Sequence, residues 1–274
     1  MPGTPKTGSP WSRTAANLAF ARELVSRQLE ASFALRGAFW MAAFLMLVND
    51  LIYCSTWWIL MRRFGDIGGW KLDDVLCLYA ISAAGFGLCV VLAGGIHDLS
   101  RRIDEGDLDA FLTQPKSVLI QTLGCRTQPS GWGDISVAIG FLGLSNIVHW
   151  RDLPALCIAI ACAFVTFVAC GVVMHSLAFW FGRTQTLSRA LWEFTLLFSL
   201  YPPALFGSGI RFVLFTLLPA ALVSYLPVEL VRHPSLPALG WTVAGTAAYA
   251  AFALWFFERG LRRYTSGNRF TVRG

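Results

Sequence analysis

The stretch Val75-Leu76-Cys77-Leu78-Tyr79-Ala80-Ile81-Ser82-Ala83-Ala84-Gly85-Phe86-Gly87-Leu88-Cys89-Val90-Val91-Leu92-Ala93-Gly94-Gly95-Ile96 contains no acidic or basic side chain. It exceeds the roughly 20 apolar residues a helix needs to cross the hydrocarbon core of a bilayer. On either side the pattern repeats: Gly37 to Leu60 carries Asp50 as its only charge, and Leu153 to Gly182 and Pro234 to Phe257 carry none. Ile135 to Trp150 is a shorter uncharged run, and Arg151-Asp152 makes a polar turn between it and Leu153, so the two runs read as a hairpin. The prediction is an all-α, polytopic membrane protein.

Composition agrees. Of 274 residues, 55% are hydrophobic and 14% charged, where a soluble domain carries about 25% charge. That excludes an ordinary cytosolic enzyme, a disordered regulator and a fibre. The formal charge of +6 is scattered between apolar runs instead of forming one basic face, so no nucleic-acid partner is implied. Six of the seven cysteines (Cys54, Cys77, Cys89, Cys157, Cys162, Cys170) lie in apolar segments without C-x-x-C spacing, as small packing residues do.

The number of crossings turns on Phe194 to Ile210 and Phe212 to Val228. Pro202-Pro203 breaks the first run, and Pro219 and Pro227 break the second. With six crossings and both ends inside, sixteen Lys and Arg fall on the cytoplasmic side and six outside, whereas seven crossings give twelve against ten. The positive-inside rule selects six. The expected layout is a disordered cytosolic tail over 1–14 and one permease domain over 15–260, with spans at about 37–60, 75–96, 135–150, 153–181, 191–210 and 236–257. A re-entrant region over 211–230 lies on the outer side, and a basic cytosolic tail over 261–274 follows. Between Ala15 and Leu35, Leu18, Ala21, Val25, Leu29 and Phe33 share one helical face opposite Arg22, Glu23, Ser26, Arg27 and Glu30. This describes an elbow helix in the membrane interface.

Catalytic motifs are absent from the chain. There is no phosphate-binding G-x-x-x-x-G-K-[ST] loop, no H-E-x-x-H and no G-x-S-x-G, and His97, His149, His175 and His233 are far apart in sequence. We expect no catalytic, cofactor or metal site, and ATP bound only by a partner.

Two polar features stand out. The first is the connection after the second run, Ile103-Asp104-Glu105-Gly106-Asp107-Leu108-Asp109-Ala110-Phe111-Leu112-Thr113-Gln114-Pro115. Gly106 permits a sharp turn, Asp107 is placed to cap a short helix, and Pro115 ends it. Leu108, Phe111 and Leu112 form an apolar patch at i, i+3, i+4 spacing, which either docks a partner or lies on the membrane. The second feature is Asp50, an acid near the bilayer centre that costs several kcal/mol unless paired, protonated or hydrated. With Asn49, Tyr53 and, at the break of span five, Tyr201, it marks either a transport path for a cationic substrate or an interhelical packing pair. Glu193 reads as an interfacial ion pair with Arg183 or Arg189.

The chain resembles the membrane subunit (permease) of type-2 ATP-binding-cassette (ABC) exporters, in the six-span branch. The resemblance rests on Gly65-Asp66-Ile67-Gly68-Gly69-Trp70 leading into Leu78-Tyr79, on Ile103-Asp104-Glu105-Gly106-Asp107-Leu108-Asp109 with Leu112-Thr113-Gln114-Pro115, and on Arg263-Tyr264-Thr265-Ser266-Gly267-Asn268. It covers about residues 20 to 270. It implies an elbow helix, a coupling helix over 103–115 that docks on two separate ABC ATPase subunits, outer re-entrant helices between spans five and six, and a second permease, identical or related. Asp104, Glu105, Gly106, Asp107, Leu108, Phe111 and Leu112 would form the coupling element. The implied function is ATP-driven export of a small amphipathic or cationic compound, as in multidrug efflux, across a bacterial inner membrane. The alternative is a proton- or ion-coupled secondary transporter using Asp50.

Overall fold

The computed structural model describes residues 10–264, apart from 35, 146–148 and 217. These residues are almost wholly helical, and the only β pairing among them is a single bridge between Ile67 and Trp70. In chain order the helices are α1 (Pro10–Ala34), α2 (Arg36–Phe64), α3 (Leu72–Leu92), α4 (Leu99–Glu105), α5 (Asp109–Leu112), α6 (Val118–Gly124), α7 (Gly131–Leu144), α8 (Leu153–Ser176), α9 (Ala178–Phe181), α10 (Gln185–Ser199), α11 (Ser208–Thr216), α12 (Leu226–Arg232) and α13 (Leu236–Leu261). Helices α2, α3, the α8–α9 rod and α13 are each long and apolar enough to cross a membrane.

Helix α3 occupies the centre, and almost all of its residues are buried. Its glycines explain how neighbours come so close. A Cβ on Gly87 would lie 2.7 Å from the Gly131 carbonyl oxygen of α7, and one on Gly131 would lie 2.6 Å from that of Gly87. Gly85 likewise meets Ala163 of α8, and Gly133 meets the Ala43 carbonyl of α2. Helices in a bilayer gain from such backbone approach because lipid tails are as apolar as leucine, which leaves packing to hold them together.

Helix boundaries depart from the sequence expectation at three places. Helix α7 starts at Gly131 and stops at Leu144, earlier at both ends than the 135–150 run. The chain before it is held by the end of α3, where Thr127 Oγ1 donates to the Val91 carbonyl at 2.6 Å and the Gln128 N–H to that of Val90 at 3.0 Å. Helix α10 ends at Ser199, far short of residue 210, because Pro202 and Pro203 lack the N–H groups that would continue it. A 3₁₀ turn over Pro203–Leu205 follows. Helix α1 begins at Pro10 instead of residue 15; Arg22, Glu23, Ser26, Arg27 and Glu30 are exposed along it, Leu24 packs on Gly124 of α6, and the side chains of Leu18 and Phe33 lie outside the described residues. Of the expected tails over 1–14 and 261–274, residues 1–9 and 265–274 also lie outside them.

Between α10 and α13 the chain forms two short pieces. The described side chains of α11 are exposed, while a π-helical turn over Ala221–Tyr225 runs into α12 and is buried against α3 and α8. Neither piece is long enough to cross a bilayer.

Candidate functional site

The first polar region is the 103–115 segment. Helix α4 ends at Gly106, whose φ of 86° is the left-handed conformation that closes a helix, and the Asp107 N–H bonds to the Arg102 carbonyl at 2.9 Å. Asp107 does not cap α5: Leu108 occupies that position without a side-chain cap, and Asp107 faces Arg101 at 3.6 Å. Arg101 also reaches Glu105 at 2.5 Å and Asp98 at 3.8 Å, and Asp98 is shared with Arg126 at 3.1 Å. The acidic residues thus brace the turn around one guanidinium.

The expected exposed patch of Leu108, Phe111 and Leu112 requires correction. Leu108 is fully buried, in one core cluster with Ile96, Leu99, Ile103 and Phe167. Phe111 is half-buried under the Arg102 guanidinium, 5.4 Å from its ring centre. Only Leu112, 47% exposed, faces outward. Gly106 turns the chain so that Leu108 points into the bundle. The outward surface is Glu105, Asp107, Ala110 and Leu112 to Pro115, with Asp104 partly covered. Beside it lies a polar cleft of about 650 Å³ lined by Arg101, Asp104, Glu105, Phe181, Arg183 and Thr186. Sequence reasoning missed the 181–186 side of this cleft, because nothing local links Phe181 to a segment so distant in the chain. Tyr264, after α13, packs on Phe179 with ring centres 6.3 Å apart and stands beside Asp109.

The second region lies where α2 meets α3 and the end of α10, and it brings together Asn49, which is exposed, with Asp50, Tyr53 and Tyr201. Asp50 is 1% exposed; its Oδ1 accepts the Tyr79 hydroxyl at 2.8 Å and the Asn49 amide at 3.4 Å. The Tyr53 ring lies 4.9 Å from Tyr79 and 5.6 Å from Tyr201. The broken end of α10 explains this convergence. Its last carbonyls lack regular helical partners, Phe198 keeping only a long bond from the Tyr201 N–H at 3.4 Å, and in a membrane interior such groups need protein donors. Three hydroxyls from three elements supply them: Tyr225 donates to Phe198 at 3.0 Å, Ser82 to Ser199 at 3.2 Å, and Tyr53 to Leu200 at 3.1 Å. Asp134 of α7, also buried, faces Asp50; the expectation that the third run starts at Ile135 left it outside the site by one residue.

At the opposite end of α3 the Gly65 to Trp70 loop is a tight hairpin. Gly68 and Gly69 have φ of 58° and 80°, and Ile67 and Trp70 exchange both backbone hydrogen bonds at 3.0 and 3.1 Å. Arg232, at the end of α12, sits 4.9 Å above the Trp70 ring and pairs with Asp74 at 2.8 Å. The loop therefore fastens α12 to the start of α3.

With this geometry in place, comparison with known families is decisive. The model of the ABC-2 family transporter protein matches residues 44–268. The chain belongs to the ABC-2 transporter family. No curated protein and no solved structure matches it. As an ABC-2 membrane subunit it is a transmembrane permease component, of a kind that works with ATP-binding-cassette partners. Within the ABC-2 match lie both polar regions and the Gly65 to Trp70 loop. Glu193 departs from its expected role: it is exposed on α10 and makes no ion pair with any described residue. It shares an exposed face with Thr186 and Arg189.

Proposed function

We propose that this ABC-2 subunit forms the transmembrane path for ATP-driven export of a small amphipathic or cationic compound, and that the 103–115 segment receives the motion of two separate ATPase subunits. The anchoring of that segment carries the reading. Leu108 is buried among residues of the bundle core while Leu112, one turn on, is exposed. A push on the outer surface has a rigid route into α3 and α8, the helices that supply Cys89 and Phe167 to the same cluster. The adjoining cleft offers a socket for a complementary helix or loop of the ATPase.

The exposed stripe of Thr186, Arg189 and Glu193 supports a path on that face of α10. A charged side chain within a membrane faces water or protein in preference to lipid, so this face would line the route between this permease and a second one, identical or related. The distribution of basic residues supports six crossings with both ends in the cytoplasm, and the resemblance to bacterial exporters supports an inner-membrane location. Asp50 is enclosed and Tyr53 and Tyr201 are half-buried, so this cluster would act on the path by setting how α2 leans on α3.

A reconstituted assembly tests this. Leu112→Asp is expected to leave the subunit folded and membrane-inserted while abolishing compound-stimulated ATP hydrolysis; full stimulation in that variant would contradict the docking role.

A further inference from the structure

Between α2, α3 and α7 two acids meet with no cation among the described residues to neutralise them. Asp50 and Asp134 are 1% and 3% exposed, and their carboxyl groups lie within hydrogen-bonding reach of each other. Oδ1 of Asp50 is an acceptor, since the Tyr79 hydroxyl and the Asn49 amide both donate to it. Oδ2 of Asp50 and Oδ2 of Asp134 are enclosed and receive no hydrogen bond from any described donor.

The groups around the pair are neutral. Tyr79 of α3 and Tyr53 of α2 face the pair, Cys54 lies one turn along α2, and Tyr201 stands beyond Tyr53. No Lys, Arg or His among the described residues pairs with either acid. Nor do three His, Cys, Asp or Glu side chains converge there as metal ligands, among the described residues. Two adjacent carboxylates out of water repel strongly, and such a pair relieves the repulsion by keeping one proton.

We propose that Asp50 and Asp134 hold one proton between them, forming a proton-binding site that locks α2 onto α7. The proton lies between the two otherwise donorless oxygens, as an O–H on one carboxyl donating to the other. When α2 leans away from α7 and water enters, the proton passes to water and the pair goes from one negative charge to two. A groove of about 470 Å³ lined by Phe39, Ala43, Leu47, Trp132, Gly133 and Ser136 follows the same α2–α7 seam, and Asn49, next to Asp50, is exposed. The seam is apolar, so water reaches the pair only when it opens. The inference rests on the packing of three helices and stands apart from which compound is carried.

Infrared spectroscopy of the full-length protein in lipid nanodiscs at neutral pH tests it. The native protein should show a carboxylic-acid carbonyl band that disappears both in Asp50→Asn and in Asp134→Asn. Asparagine can donate where the shared proton did, so both variants should fold. Thermal stability of the native protein should fall on moving to alkaline pH, because the folded chain holds a proton that the unfolded chain has released; Asp134→Asn should lose most of that slope. No carboxylic-acid band in the native protein at neutral pH, or a band surviving in both variants, would overturn the proposal. The first readout needs only the native protein, so a variant that fails to fold does not shield it.

Discussion

Leu108 and Leu112 sit one helical turn apart and do opposite things. Burial of Leu108 means that Leu108→Ala should destabilise the protein by about 2–5 kcal/mol, the usual cost of emptying a core leucine site, whereas Leu112→Ala should stay within about 0.5 kcal/mol; thermal unfolding in detergent or nanodiscs measures both. Helical spacing placed the two leucines on one patch, since i and i+4 share a face in a regular helix. Spacing does not register that α5 is a four-residue turn entered through a left-handed glycine. Tyr53 is a further residue-scale case. Tyr53→Phe removes the donor to the Leu200 carbonyl and should cost about 1–2 kcal/mol, the penalty of leaving a buried carbonyl unpaired. Sequence alone made Asn49, Asp50, Tyr53 and Tyr201 visible because polar groups are conspicuous in an apolar run. Asp134 was hidden by its place at the edge of such a run.

At the scale of helices, small residues decide which elements meet. Gly131→Val would drive a side chain into the Gly87 carbonyl, 2.6 Å from the Cβ position, and into Val90 and Val91. The expected result is separation of α7 from α3 and a loss on the order of 3 kcal/mol, seen as a lower melting temperature. His97, in the 3₁₀ turn after α3, gives this end of the bundle a pH dependence. Burial pushes its imidazole down to about 4 from an ordinary value of 6.5, so the folded protein holds it neutral. The unfolded chain binds that proton first as pH falls, and stability should be lost between about pH 6.5 and 4. His97→Gln should reduce this acid sensitivity. Apolar runs announced α2, α3, α8 and α13 directly. Where α7 starts and α10 ends was less legible, because tertiary partners and proline geometry set those boundaries, and an apolar stretch carries on past both.

For the whole molecule, the charge count, the broken α11–α12 region and the family membership concern a single arrangement. An engineered labelling site at His233, exposed between α12 and α13, should react from outside the cell if six crossings hold, and from inside if the chain crosses seven times. The central claim is that this subunit is driven by ATP hydrolysed on another polypeptide through the 103–115 surface. The most direct measurement is purification of the protein from its own membrane in mild detergent, with the accompanying chains identified by mass spectrometry and assayed for ATP hydrolysis. The account predicts a stoichiometric ABC ATPase that is lost from the assembly, or no longer stimulated, in Leu112→Asp. A stable, transport-competent assembly without any ATPase would contradict it.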